Sequence, residues 1–77
     1  MKVTVYSTNQ CPWCDKLKDF LKEHKVKFEV KDVGRDAAAR EEMMEKTGQM
    51  GVPVTDIDGE AVVGFNVPLL KHLLKVD

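Results

Sequence analysis

Two cysteines occur in the 77 residues, and they stand three positions apart in Cys11-Pro12-Trp13-Cys14. A pair at this spacing suits thiol–disulfide exchange, because both sulfurs can reach one ring closure. Pro12 favours the first turn of a helix, where its missing N–H costs nothing. Cys11 then lies beside unpaired backbone N–H groups and the positive end of the helix dipole, which favour a thiolate. Cys14, one turn on and next to the packed side, reads as the less accessible resolving thiol. A pKa fall from about 8.5 to about 5.5 would raise the thiolate fraction at pH 7 roughly 30-fold. A Brønsted slope near 0.45 would cut intrinsic nucleophilicity roughly 20-fold. The surviving gain is leaving-group ability, so Cys11 is released readily when Cys14 attacks a mixed disulfide.

Other uses of the pair are weaker. A structural disulfide closing a four-residue loop contributes only about 2 kcal/mol in the chain-entropy treatment, and inert buried cysteines do not belong at a helix start. Zinc normally needs a second ligand pair, and His24 and His72 form no matching motif. His24 reads instead as the edge of an apolar stripe, and His72 as a residue near a helix C-terminus, where a cation is favoured. No metal ligand set is expected.

The elements that must position the cysteines follow from periodicity. Residues 2–7 alternate, with Val3, Val5 and Ser7 on one side, and read as a strand ending in the polar loop Thr8-Asn9-Gln10. Trp13, Leu17, Phe20, Leu21 and His24 then fall at helical spacing, giving a helix to about Lys25. Residues 27–33 return to period two, with Phe28, Val30 and Val33 as the apolar set. Asp36 caps a second helix through Ala37-Ala38-Ala39 to Thr47, stopped by Gly48. Residues 52–57 and 60–63 form an antiparallel hairpin around Asp58-Gly59. Asn66 caps a last helix carrying Val67, Leu69, Leu70, Leu73 and Leu74. Met43, Met44 and Met50 are assigned to core filling. The order βαβαββα predicts an α/β domain over residues 1–77, with a mixed four-stranded sheet flanked by three helices.

Composition narrows the function classes. Charged residues make up 32% of the chain and the net charge is −1, with Lys16, Lys18, Lys22 and Lys25 interleaved with Asp15, Asp19 and Glu23. That pattern is a solvated helix face rather than a basic stripe, so no nucleic-acid partner is expected. No apolar run reaches membrane-spanning length, and the N-terminus does not read as a signal peptide. A monomer in the cytoplasm, where a cysteine pair is more often catalytic than structural, is the expectation.

Three motifs in this order, Cys11-Pro12-Trp13-Cys14 after a strand, Gly51-Val52-Pro53 opening the third strand, and Gly64-Phe65 before the last helix, resemble the glutaredoxin family along essentially the whole chain. The resemblance implies a thioredoxin-like fold and a dithiol oxidoreductase acting on protein disulfides. It implies no tightly bound cofactor, with glutathione as a possible cosubstrate. It also implies a cis Val52-Pro53 bond opposite the cysteines and substrate pairing through the Val52 main chain. Some similar proteins hold an iron–sulfur cluster between two subunits with glutathione, and a metal- or cluster-binding module is the alternative function.

Departures from the family bear on the reductant. Glutathione-using members commonly carry a basic residue where this chain has Thr8, and a Gly-Gly pair followed by a nearby Asp where it has Val63-Gly64-Phe65-Asn66. Gly64-Phe65 is similar instead to redoxins that serve ribonucleotide reductase and draw on thioredoxin reductase, although the Trp-Ser pair preceding it there is Val62-Val63 here. Clostridial-type glutaredoxin-like proteins are similar too. A flavoprotein of the thioredoxin reductase kind is therefore the expected electron source, with glutathione secondary. Thr8, Val52, Pro53, Gly64, Phe65 and Asn66 are the candidate substrate-binding residues, with Pro12 and Trp13 shaping the active-site turn.

Overall fold

In the computed structural model, which describes residues 2–76, seven elements follow in the order expected. They are β1 (Val3–Ser7), α1 (Pro12–Glu23), β2 (Glu29–Asp32), α2 (Ala37–Thr47), β3 (Val54–Ile57), β4 (Glu60–Val63) and α3 (Val67–Leu74). Residues 1 and 77 of the expected domain lie outside this description. The strands form one mixed sheet in the order β2-β1-β3-β4. β1 and β2 are parallel and joined through α1, whereas β3 is antiparallel to both β1 and β4. Asp58 and Gly59 both take positive φ, at 51° and 94°, as the tight turn between β3 and β4 requires.

The sheet is covered on both faces, so β1 is buried along its whole length. On one face Val3 and Val5 meet Leu17, Phe20 and Leu21 of α1 and Leu70 and Leu74 of α3. On the other, Tyr6 and Val54 pack with Val33 and with Ala39 and Met43 of α2. The helix caps are those the sequence implies. Asp36 accepts a hydrogen bond from the Ala39 N–H at 3.2 Å, Asn66 accepts from the Leu69 N–H at 3.3 Å, and Gly48 closes α2 with φ of 70°.

Two assignments are corrected. Met44 and Met50 are 42% and 52% exposed, and only Met43 of the three methionines is core. α2 turns one narrow stripe to the sheet, which Ala39 and Met43 fill, so Met44 faces solvent. Val30 is 47% exposed because β2 is an edge strand, although its neighbour in the alternation, Phe28, does pack against the core.

A polar cluster secures α2 to the sheet. The Tyr6 hydroxyl donates to Glu42 Oε1 at 2.5 Å, Lys31 donates to both Glu42 oxygens at 3.0 Å, and Lys46 pairs with Asp56. Burial, reinforced by the Glu42 hydrogen bond, pushes the Tyr6 phenol up to about 12, and hydrogen bonding from Tyr6 and then Lys31 holds Glu42 below its ordinary value. A phenol whose pKa is raised on folding contributes stability that is complete below its unfolded value near 10 and lost as the pH climbs through the folded value. Lys46 is also raised, chiefly by its hydrogen bond to Asp56, and acts in the same direction. Oxidised protein unfolded in urea at stepwise pH is therefore expected to lose stability between about pH 10 and 12. Tyr6→Phe should lose less over that interval than wild type does; an equal loss in both would show that the phenol contributes nothing to it.

Candidate active site

Cys11 is the N-cap of α1 and Pro12 its first residue, so the turn that Pro12 favours begins at the first sulfur. In the structure Cys11 and Cys14 are joined as a disulfide with their Cα atoms 5.2 Å apart. The Cys14 N–H donates to Cys11 Sγ at 3.1 Å. An orphan donor of the helix end therefore points at this sulfur, as the sequence reasoning required. The two residues differ in exposure. Cys11 is half-buried, whereas Cys14 is 0% exposed.

Beside the disulfide lies an open groove of about 340 Å³, lined by Trp13, Val52, Pro53, Gly64 and Phe65. Three segments far apart in sequence meet here. Trp13 comes from the first turn of α1, Val52 and Pro53 from the approach to β3, and Gly64 and Phe65 from the link between β4 and α3. The Val52-Pro53 bond is cis, as the family resemblance implied. The Gly64 N–H donates to the Pro53 carbonyl at 2.8 Å, and Gly64 takes φ of 77°, a conformation that favours glycine. This bond joins the second and third segments into one wall.

Aromatic contacts fix the other wall. The Phe65 ring lies 6.3 Å from Trp13 and makes an edge contact with Phe20 at 5.9 Å. Trp13 is 56% exposed, and the Lys16 ammonium sits 4.3 Å above its ring. Lys16 is thus part of the groove rim. Its i,i+3 spacing from Trp13 is the sequence signal that would have found it.

Two of the expected binding residues lie elsewhere. Asn66 is exposed and uses its side-chain oxygen to cap α3. The Thr8 side chain is directed to the β2–α2 connection, with its methyl 3.7 Å from where a Cβ on Gly34 would stand. Neither lines the groove. Among the described residues no three His, Cys, Asp or Glu side chains gather into a metal-sized site, and no helix is long and apolar enough to cross a membrane.

Comparison with known proteins agrees with this geometry. The family model for glutaredoxin matches residues 3–62. An uncharacterized glutaredoxin-like 8.6 kDa protein in the rubredoxin operon of Clostridium pasteurianum is 42% identical over 73 residues, covering 95% of this chain and 97% of that protein. The glutaredoxin-like protein NrdH of Lactococcus lactis is 36% identical over 74 residues, covering 92% and 97%. Among solved structures, a variant of the thioredoxin-like protein BC3987 superimposes with a TM-score of 0.93 at 39% identity, over 99% of this chain and 97% of that one. With its disulfide set at a helix start and a match running from β1 into β4, this chain belongs to the glutaredoxin family of thioredoxin-fold thiol–disulfide oxidoreductases.

Proposed function

We propose that the chain is a dithiol redoxin that reduces disulfides of protein partners by cycling between two thiols and the Cys11–Cys14 disulfide. The Cys11 thiolate attacks one sulfur of the partner disulfide, forming a mixed disulfide and releasing the other partner sulfur as a thiolate. Cys14 then attacks the Cys11 sulfur, expels the second partner thiolate and closes the ring. Two electrons pass to the partner. The supporting observation is the asymmetry of the pair: Cys11 is partly exposed with an N–H directed at its sulfur, whereas Cys14 is enclosed.

Pro12 and Trp13 hold the turn between the sulfurs, so little conformational freedom is lost when the ring closes. Val52 supplies main-chain groups for an extended partner segment, and Pro53, Gly64 and Phe65 give it an apolar bed. A flavoprotein of the thioredoxin reductase kind returns the two electrons, with glutathione as the secondary source. The likeness to NrdH and the absence, among the described residues, of a charged side chain from the groove lining favour this order. A cysteine pair that must be reset by such a reductant works in a reducing compartment, which places the protein in the cytoplasm.

Trp13, the chain's one tryptophan, offers the direct test. Pre-reduced protein mixed with a peptide disulfide should lose two thiols per chain while its tryptophan emission changes with the same time course. Loss of fewer than two thiols, or none, would rule out the cycle. Identical emission from the two redox states would instead place the indole away from the sulfurs.

A further inference from the structure

The segment leading into the groove, Thr47 to Val52, belongs to no strand or helix after Thr47, yet it is fastened by side chains. Gln49 holds Gly51 from both sides. Its Oε1 accepts the Gly51 N–H at 2.7 Å, and its Nε2 donates to the Gly51 carbonyl at 3.2 Å. The clamp is tied back to α2, because the Gln49 N–H donates to Thr47 Oγ1 at 3.3 Å and that hydroxyl donates to the Met43 carbonyl at 2.8 Å. Gly51 is what lets the amide come so near. A Cβ there would stand 2.6 Å from Gln49 Oε1, too near for both to keep their places.

One residue further on, Pro53 is fixed by the Gly64 N–H on its carbonyl. Val52 therefore sits between two anchored neighbours, while its own N–H and C=O find no hydrogen-bond partner among the described residues. A donor and an acceptor left open on a half-buried residue at the groove are suited to an extended chain laid alongside. Their usefulness depends on being held still, since an unanchored loop must be ordered at the moment of binding.

We propose that Gln49 is a positioning residue that presents the Val52 main chain to the partner's backbone. This rests on the reading of Val52 as the substrate-pairing residue given above. Gln49 touches no reacting atom. Its effect should appear in the binding of substrates that possess a peptide backbone, and not in the exchange of sulfurs.

The test is single turnover of pre-reduced protein, followed by its tryptophan emission and by thiol loss, with two oxidants. One is a disulfide of cysteine-containing peptides extended by three residues on each side; the other is bis(2-hydroxyethyl) disulfide, which has no peptide groups. Gln49→Met keeps the side-chain length and removes both hydrogen bonds. Its half-saturating peptide concentration should rise about fivefold, the scale of a neutral hydrogen bond, with the maximal rate unchanged and the bis(2-hydroxyethyl) disulfide rate unaltered. Gln49→Glu, which keeps the acceptor for the Gly51 N–H, should show a smaller rise. Gly51→Ala, which displaces the carboxamide with Gln49 still present, should behave like Gln49→Met. A half-saturating concentration equal to wild type in Gln49→Met overturns the inference, as does equal slowing with both oxidants, which would mark a general structural role. Wild-type protein that reduces neither disulfide overturns the parent reading and this inference with it.

Discussion

Cys11→Ser is expected to abolish disulfide reduction, with a loss of more than about a thousandfold, because the hydroxyl that replaces the nucleophile is not ionised at neutral pH. Cys14→Ser is expected to behave differently. Cys11 retains its place as the N-cap of α1 and its partial exposure, so the first displacement proceeds. The second cannot follow. The partner should accumulate as a mixed disulfide on Cys11, visible as a mass increase that a reductant removes. Cys14 is wholly enclosed, so in the Cys11→Ser variant its thiol is not accessible to attack a partner disulfide. Adduct trapped on Cys14 in that variant, with none on Cys11 in the other, would reverse the two roles.

Electron supply should differ by at least about tenfold between sources, with thioredoxin reductase plus NADPH reducing the Cys11–Cys14 disulfide faster than glutathione at cellular concentration. Charge-assisted hydrogen bonds are roughly twice as strong as neutral ones, and glutathione presents two carboxylates and an ammonium. Among the described residues the groove lining presents no charged side chain to meet them. Thr8 is directed to the β2–α2 connection, and Asn66 is neutral and spends its oxygen on the cap of α3. Lys16, held over Trp13, is a cation at the rim that can take one carboxylate. A single exposed pair of this kind contributes roughly 1 kcal/mol or less, about fivefold in binding, too little to restore full recognition. The comparison requires oxidised protein, each reductant in turn, and thiol release followed in time. Equal rates would sink the inference from missing charges and make this a glutathione-dependent glutaredoxin.

Much of this was legible in the chain because the signals are local. The caps at Asp36 and Asn66, the Asp58-Gly59 turn and the change of period from strand to helix after Pro12 each act within a few residues. Backbone conformation and the nearest hydrogen bond decide them. The same holds for the cysteine pair, since a helix start directs its N–H groups at whatever stands before it. The βαβ unit followed from the connection through α1 and the antiparallel pairing of β3 with β4 from the hairpin, and Cys14 was placed next to the packed side by its spacing alone.

What the tertiary structure decided concerns coverage and convergence. Alternation put Val3 and Val5 on one side of β1 but gave no reason to enclose Tyr6 on the other; α2 does that, and supplies Glu42 for its hydroxyl. Val30 has the same alternation as Phe28 and is left outside because β2 is an edge strand. Met44 and Met50 are as apolar as Met43 and meet no neighbour that would cover them. The groove draws on residues near 13, 52 and 65, and the clamp at Gln49 depends on Gly51 lacking a side chain and on the direction in which α2 ends. Sequence by itself determined the elements and the cysteine pair at the start of α1, because those depend on a residue and its immediate neighbours. Which faces are buried and which separated segments share the groove were settled only by packing, because burial is a property of what lies opposite a residue, and that neighbour is supplied by a distant part of the chain.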